Sequence, residues 1–558
     1  MKMVRNLIGG FVLIAGVMTL PLSTNLALAA GDSISGLVTD DAGNPIRGAI
    51  VKAALGTRAV ARYTDATGHF QIMGLEPGQH EVTVDAFGFA VAKQSADPAK
   101  GENTNFNLTP QMDLSRLETA DFAYLLPDTR DEQYIYSRCS SCHGLQTPAS
   151  KRGMPEAAWA GFLPVMTVHR WGTPFGFSAK TSERDAPILA KIFGPEGILG
   201  PNAKIDFSKI KRTPVLDAAL KATITEYSTP SPRPAIHSVT TDPKSGVVWF
   251  SEYDALANNI ARFDPKTETF LELPIPLPKA LAHTGTVLKD GRFIVALDRA
   301  GHEEGGGEVP TKLAIASADG KGKVETIDFP GKRQGARVIK EDPTQDNVVW
   351  IVAQNETWRY NLKTREFKAY VNPVPDTFPQ GSQSGRFALP GAHPEGDGYA
   401  MTVDANGTPW VTQLAHGNIL RLDPDTGIWK IYRTAEIVSA RGIDYDADGN
   451  IWFGDFFGHK LGMLDPKTGN FTFYRPPNPY GTPYGITIDR KRGQIWYGDT
   501  HPNNATRFDI KTKQFAEYPL ATPNAAVRFL GVDPKGRAWF GGFQNGKFGV
   551  VDPGESGS

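Results

Sequence analysis

The pattern of apolar and polar positions divides the chain into three stretches. From residue 32 to about 110, short runs such as SISGLVT, AIVKAAL and HEVTVDAFGF alternate apolar and polar residues, with DDAGNP, DATGHF and LEPG between them. A period of two, punctuated by Gly, Pro and Asp, predicts a small β-sandwich. From about 112 to 225 the spacing turns helical in DTRDEQYIYSRCSSCHGL, PEAAWAGFLPVMTVH and ERDAPILAKIFG, which predicts a small α-helical domain. From about 226 onward a unit repeats, as in GIDYDADGNIWFGDFFGHKLGMLDPKTGNFTFYRPP and GITIDRKRGQIWYGDTHPNNATRFDIKTKQFAEYPL. Four short strands in about 40–45 residues is the signature of a β-propeller blade. The expected fold is therefore mostly β and multidomain: residues 31–110 a sandwich, 111–225 helical, 226–558 a propeller.

Alignment on the Asp that ends each first strand gives seven units, with Leu288 in place of that Asp in the second. GHEEGGGEVP and QGSQSGRFALPGAHPEGD read as insertions in the second and third units. The last unit lacks an outer strand after VVDPG. ATITEY, just before the first unit, has the composition of FAEYPL and is expected to supply it, joining the two ends of the ring and removing exposed edges.

Residues 1–30 read as a secretory signal. Lys2 and Arg5 precede an apolar run from Leu7 to Leu20, and ALAA closes the segment at Ala30. The run is shorter than the ~20 residues that span a bilayer. The expectation is a cleaved, exported chain that is periplasmic or secreted, without a membrane span after cleavage. Lys and Arg number 59 against 60 Asp and Glu, so there is no basic surplus for nucleic acid. The 58 Gly and 42 Pro fit a chain rich in turns, and two Cys cannot form a disulfide framework.

Those two cysteines carry the chemistry. Cys139, Cys142 and His143 form Cys-x-x-Cys-His, the attachment pattern of a c-type haem. Two thiols bond the haem vinyl groups and the adjacent His takes the iron. A zinc site would need further soft ligands, and no other Cys exists. A redox dithiol would be expected in a βαβ context that is absent here. The expected cofactor is covalent haem c, with His143 as one iron ligand. Met166 is the favoured second ligand, with His169, Met154 or an open site as alternatives. This stretch is similar to small monohaem cytochrome c domains.

The propeller offers a second site. The equivalent first-strand positions are His237, His283, Arg337, Tyr399, Arg441, Tyr484 and Arg528. None is aliphatic, and polar groups facing a shared channel are where propellers bind ligands. The equivalent second-strand positions are Glu252, Leu297, Ala353, Gln413, Asp455, Asp499 and Gly542.

Two further resemblances follow from quoted motifs. SISGLVT, DDAGNP and LEPGQHEVTV resemble the carboxypeptidase regulatory-like domain, which implies a spacer or interaction module. VVWFSE, GNIWFGD, NNIARFDP, NILRLDP and EYPLATPNA resemble the streptogramin B (virginiamycin B) lyases, which are seven-bladed propellers. That resemblance implies His237 as a base and Glu252 beside it, with Mg²⁺ stabilising an enolate during elimination. The family's metal-binding Glu falls on Ala235 and its second His on Arg528. Fold therefore carries over further than reaction.

Three functions are in play. One is an exported haem protein that oxidises a small organic substrate at the propeller mouth, with His237 as base, and passes electrons to an exported partner. The second is a Mg²⁺-dependent lyase with an appended cytochrome. The third is a non-enzymatic electron-transfer or sensing protein.

Overall fold

The computed structural model describes residues 33–554, apart from 102, 141–142, 166–178, 233, 255, 299–311, 331–335, 354 and 376–397. The signal segment, the two long insertions, Cys142, Met166 and His169 lie outside the described residues. The architecture is mostly β and multidomain, as the pattern predicts.

The N-terminal unit is a two-layer sandwich. One sheet orders His69–Met73, Ser33–Asp40 and Phe106–Leu108; the other orders Arg58–Tyr63, Ile50–Leu55, His80–Asp85 and Ala92–Ala96. Inward positions (Val38, Val51, Ile72, Val82, Val84) are fully buried between them, as the period of two requires.

The propeller has seven blades. Six are separate four-stranded antiparallel sheets. The seventh takes Gly531–Val532, Ala538–Gly541 and Lys547–Asp552 from the C-terminus and its outer strand, Thr223–Ser228, from before the first blade. This is the closure expected from ATITEY. The boundary moves slightly, because the strand starts before residue 226. A repeated hydrogen bond explains the spacing used for alignment: the Asp ending the first strand accepts from the buried Trp of the second. Asp342–Trp350, Asp404–Trp410, Asp446–Trp452 and Asp533–Trp539 are bonded in this way, at 2.8–3.0 Å. Each pair satisfies an indole N–H that burial would otherwise strand.

One feature was not legible in the pattern. Thr223–Ser228 also pairs with Arg58–Tyr63 of the sandwich. Blade seven and one sandwich sheet are thus a single eight-stranded sheet. The closing strand has no exposed edge on either side.

The segment between sandwich and propeller is helical. Thr119–Leu125, Arg130–Ser140, Glu156–Phe162 and Ala179–Phe193 enclose a core of Phe122, Ile135, Trp159, Leu189, Ile192 and Phe193. Inside it Arg138 makes a buried ion pair with Asp185 across two helices.

Candidate functional site

The innermost strands place the polar ring at one end of the channel. In four blades the first strand is irregular at the ring position: the register slips between Ala282 and Gly285, Gly398 and Met401, Ala440 and Ile443, and Pro483 and Ile486. These interruptions contain His283, Tyr399, Arg441 and Tyr484. A bulge breaks the alternation and re-aims a side chain, which is how residues of adjacent blades come to face one another. Backbone bonds between inner strands fix the spacing. Phe529 N–H donates to the His237 carbonyl at 3.3 Å, Gly485 N–H to Arg528 at 3.1 Å, and Thr284 N–H to Arg337 at 3.2 Å.

The seven predicted residues do converge. The rings of His237 and His283 lie 3.9 Å apart, centre to centre. Tyr399 and Tyr484 hydrogen-bond through their hydroxyls. Arg441 stacks its guanidinium 4.0 Å from the ring centres of both Tyr484 and Phe456, and Arg528 lies 3.4 Å over Phe543. Arg337 stands 5.4 Å over Tyr399 and is half-buried; the other six are buried. The aromatic walls Tyr253, Phe456, Phe529 and Phe543 were not singled out from sequence. They lie one or more positions beyond the ring and second-strand sites, where the repeat shows no shared residue type.

His237 is the deepest group. Its two ring nitrogens have no hydrogen-bond partner among the described residues. Burial, and then the neighbouring His283, Arg528 and Arg441, hold its pKa well below the usual histidine value. The imidazole is therefore neutral at neutral pH. His283 Nδ1 lies 2.8 Å from the Arg337 carbonyl. A carbonyl only accepts, so Nδ1 carries the proton and the lone pair is on Nε2.

Glu252 is not joined to His237 by a hydrogen bond, and its carboxylate oxygens have no hydrogen-bond partner among the described residues. The equivalent positions suggest why an acid occurs there. Asp455 accepts from Ser439 N–H at 2.7 Å, and Asp499 accepts from Thr482 N–H, so each ties down the chain entering its blade. Burial, and then the charge of Glu272, push the Glu252 carboxyl up to about 8. The unfolded chain releases this proton near 4.5, whereas the native chain keeps it. Stability from this residue is thus present below pH 4.5 and lost as pH rises towards about 8. Glu252→Gln is expected to remove that slope and to raise stability at pH 9, read by urea unfolding at pH 5 and pH 9. An unchanged slope in the variant would contradict the assignment.

The mouth does not suit Mg²⁺. That ion takes oxygen ligands, usually carboxylates and water. The ring supplies guanidiniums and imidazoles, and no group of three or more His, Cys, Asp or Glu among the described residues is arranged to hold a metal ion.

The helical segment meets this same end of the propeller. Tyr136 O–H lies 3.0 Å from His501 Nδ1, and His501 Nε2 lies 3.4 Å from the Ser140 carbonyl. His501 is thus protonated on Nε2 and accepts from Tyr136. Its backbone carbonyl accepts from Ala120 N–H at 3.1 Å. His143, Ser140, His501 and the ring residue Arg528 line one small cavity. The approach is close: a Cβ on Gly144 would meet Thr119 Oγ1 at 2.7 Å and Asn524 Oδ1 at 2.9 Å. His501 was missed in the sequence because its partners are over 360 residues away. The available signal was its place in GDTHPN, directly after a second strand that faces the channel.

Of the Cys-x-x-Cys-His segment, Cys139 and His143 are among the described residues. Arg130–Ser140 carries Cys139, whose side chain is buried at the edge of the helical core. His143 N–H donates to the Cys139 carbonyl at 3.2 Å, continuing the helical turn. His143 Nδ1 lies 2.9 Å from the Gly144 carbonyl, so it is the donor and the lone pair is on Nε2. Iron-bound histidines hold this tautomer in the same manner. Met154 packs against the helical core.

Two family models match parts of the chain. The model of the virginiamycin B lyase family matches residues 386–556, and that of the carboxypeptidase regulatory-like domain matches residues 33–111. The C-terminal unit is thus a virginiamycin B lyase-like propeller, preceded by a carboxypeptidase regulatory-like domain. Among solved structures, a streptogramin B lyase is 21% identical with a TM-score of 0.49, covering 60% of this chain and 99% of that one. The selenomethionine form of the Staphylococcus aureus virginiamycin B lyase is 18% identical with a TM-score of 0.47, covering 59% and 99%. A catalytically inactive variant of that enzyme with quinupristin is 18% identical at 0.46, with the same coverage. No curated protein matches the chain.

Proposed function

We propose that this is an exported c-type haem protein that oxidises a small organic substrate at the propeller mouth and delivers the electrons to an exported redox partner. The observation that carries the reading is the juxtaposition of the Cys-x-x-Cys-His segment with the polar ring. Ser140 and Tyr136 grip His501, and His143 and Arg528 share a cavity. An appended module with no role in the chemistry has no need of that placement.

Haem c would be held by Cys139, Cys142 and His143, with Met166 as the expected second iron ligand, and would supply a one-electron couple. The chain's own residues do the rest. The aromatic walls exclude water from the mouth. Arg441 and Arg528 orient the substrate. His237, neutral and with both nitrogens unengaged, accepts the proton that oxidation releases. A bound anion beside it raises its basicity, because the opposing charge favours the imidazolium. The partner, not the chain, is the final electron acceptor. No helix among the described residues is long and apolar enough to cross a membrane. The leader-like pattern of residues 1–30 supports a periplasmic or secreted protein.

The lyase reading is the weaker one. Ala235 replaces the metal-binding Glu, Arg528 replaces the second His, and the mouth is cationic where a divalent cation would sit.

His237→Ala separates the readings. Anaerobic incubation of the exported protein with candidate substrates is expected to reduce the haem in the wild type and at least 100-fold more slowly in the variant. Dithionite should reduce both equally. Equal substrate-driven reduction of both proteins would overturn the role of the mouth.

A further inference from the structure

Among the described residues, the mouth holds a cation with no counter-charge. Arg441 is 2% exposed, and its Nε and Nη1 donors have no hydrogen-bond partner among those residues. No ion pair satisfies it among the described residues. Burying a guanidinium without an acceptor is costly, so a residue in this state is built for an acceptor that arrives from outside.

The surroundings define that acceptor. Phe456 and Tyr484 each lie 4.0 Å from the guanidinium, so the aromatic faces leave its in-plane edge as the binding surface. That edge matches two oxygens in one plane. Arg528 adds positive charge beside Tyr484, at 5.2 Å from its ring centre. The single N–H donor of neutral His237 completes the polar side, and Phe529 lies 5.7 Å from the His237 ring on the apolar side. A small planar acid with an apolar body fits this combination. A fully hydrated tetrahedral anion gains little from aromatic walls.

We infer that Arg441 is a carboxylate-binding residue, and that the ligand of the propeller mouth is a small organic acid whose carboxylate takes the buried Nε and Nη1 edge of this guanidinium. The inference deepens the proposed function by naming its substrate class, and rests on that reading only for the use made of the ligand. One other source of the same chemistry would be a propionate of a haem held at Cys139, Cys142 and His143.

Benzoate, its neutral counterpart benzamide and inorganic phosphate serve as probes, titrated into the exported full-length protein by calorimetry. The expected result is saturable binding of benzoate, at least tenfold weaker in Arg441→Gln, with benzamide and phosphate binding at least tenfold more weakly than benzoate. Arg441→Lys serves if the Gln variant does not fold, because it keeps the charge and loses the planar pair of donors. If benzoate does not bind but either variant displaces the haem midpoint potential, the carboxylate is the propionate, and Arg441 keeps the assigned role. No benzoate binding with an unmoved potential overturns the inference. So does benzoate binding that is indifferent to Arg441, or phosphate or benzamide binding as tightly. Should the protein carry no haem, the proposed redox function fails and the benzoate titration still decides this point.

Discussion

Thr225→Pro is expected to destabilise the protein by about 3 kcal/mol or more, and to open the ring as it does so. Thr225 is paired on both flanks, with Val550 of blade seven and Val60 of the sandwich. Proline cannot donate to a ladder and is tolerated only where a strand is free on one side. Here the substitution strikes the strand that both closes the propeller and joins it to the sandwich. The neighbouring Glu226 adds to the closure: its buried carboxylate accepts from Thr522 N–H at 3.0 Å and from the Thr522 hydroxyl at 2.5 Å. Urea unfolding should show a lower midpoint, and limited proteolysis should release the sandwich from the propeller. Thr225→Val, which keeps a β-branched residue, should leave both unchanged. An unaltered midpoint in the proline variant would mean that the closing strand is dispensable.

Asp185→Ala is expected to destabilise the protein, by up to about 3–5 kcal/mol, because it removes the buried carboxylate that pairs with Arg138. The two side chains are 4% and 1% exposed, and they join Arg130–Ser140 to Ala179–Phe193. The helix they fix carries Cys139 and presents Tyr136 and Ser140 to His501. The stability loss should therefore be accompanied by loosened contact with the propeller, seen as faster hydrogen exchange at Tyr136–Ser140. Arg184 also reaches Asp185, at 3.2 Å, but is largely exposed and screened, so it does not substitute for the buried pair. A variant as stable as the wild type would show the pair to be neutral.

Much of the propeller was legible because its physics repeats. The Asp–Trp bond recurs in four blades, and this is what made alignment on Asp and the aromatic positions succeed, with Leu288 as the exception. The closing strand was legible from composition, since an outer blade strand has the same demands wherever it lies in the chain. The ring positions were legible by equivalence. Their convergence on Arg441 and the tyrosine pair was not, since it depends on bulges whose re-aiming of a side chain the sequence pattern does not locate. Two further features have no local signal at all. The pairing of Thr223–Ser228 with the sandwich and the grip of Tyr136 on His501 join residues far apart in the chain. At the positions equivalent to Glu252, Asp455 and Asp499 hold incoming backbone, a role the sequence did not display.

The account rests on a haem attached at the propeller mouth. The measurement that tests it most directly is the absorption spectrum of protein exported in a host competent for haem attachment, taken oxidised and reduced and again after denaturation. The account predicts a chromophore that stays with the denatured chain, sharp reduced α and β bands, and loss of the colour in Cys139→Ala/Cys142→Ala. A weak near-infrared band in the oxidised protein would add Met166 as the second ligand. A colourless wild-type chain from such a host would contradict the account and leave a cationic propeller mouth without an electron carrier beside it.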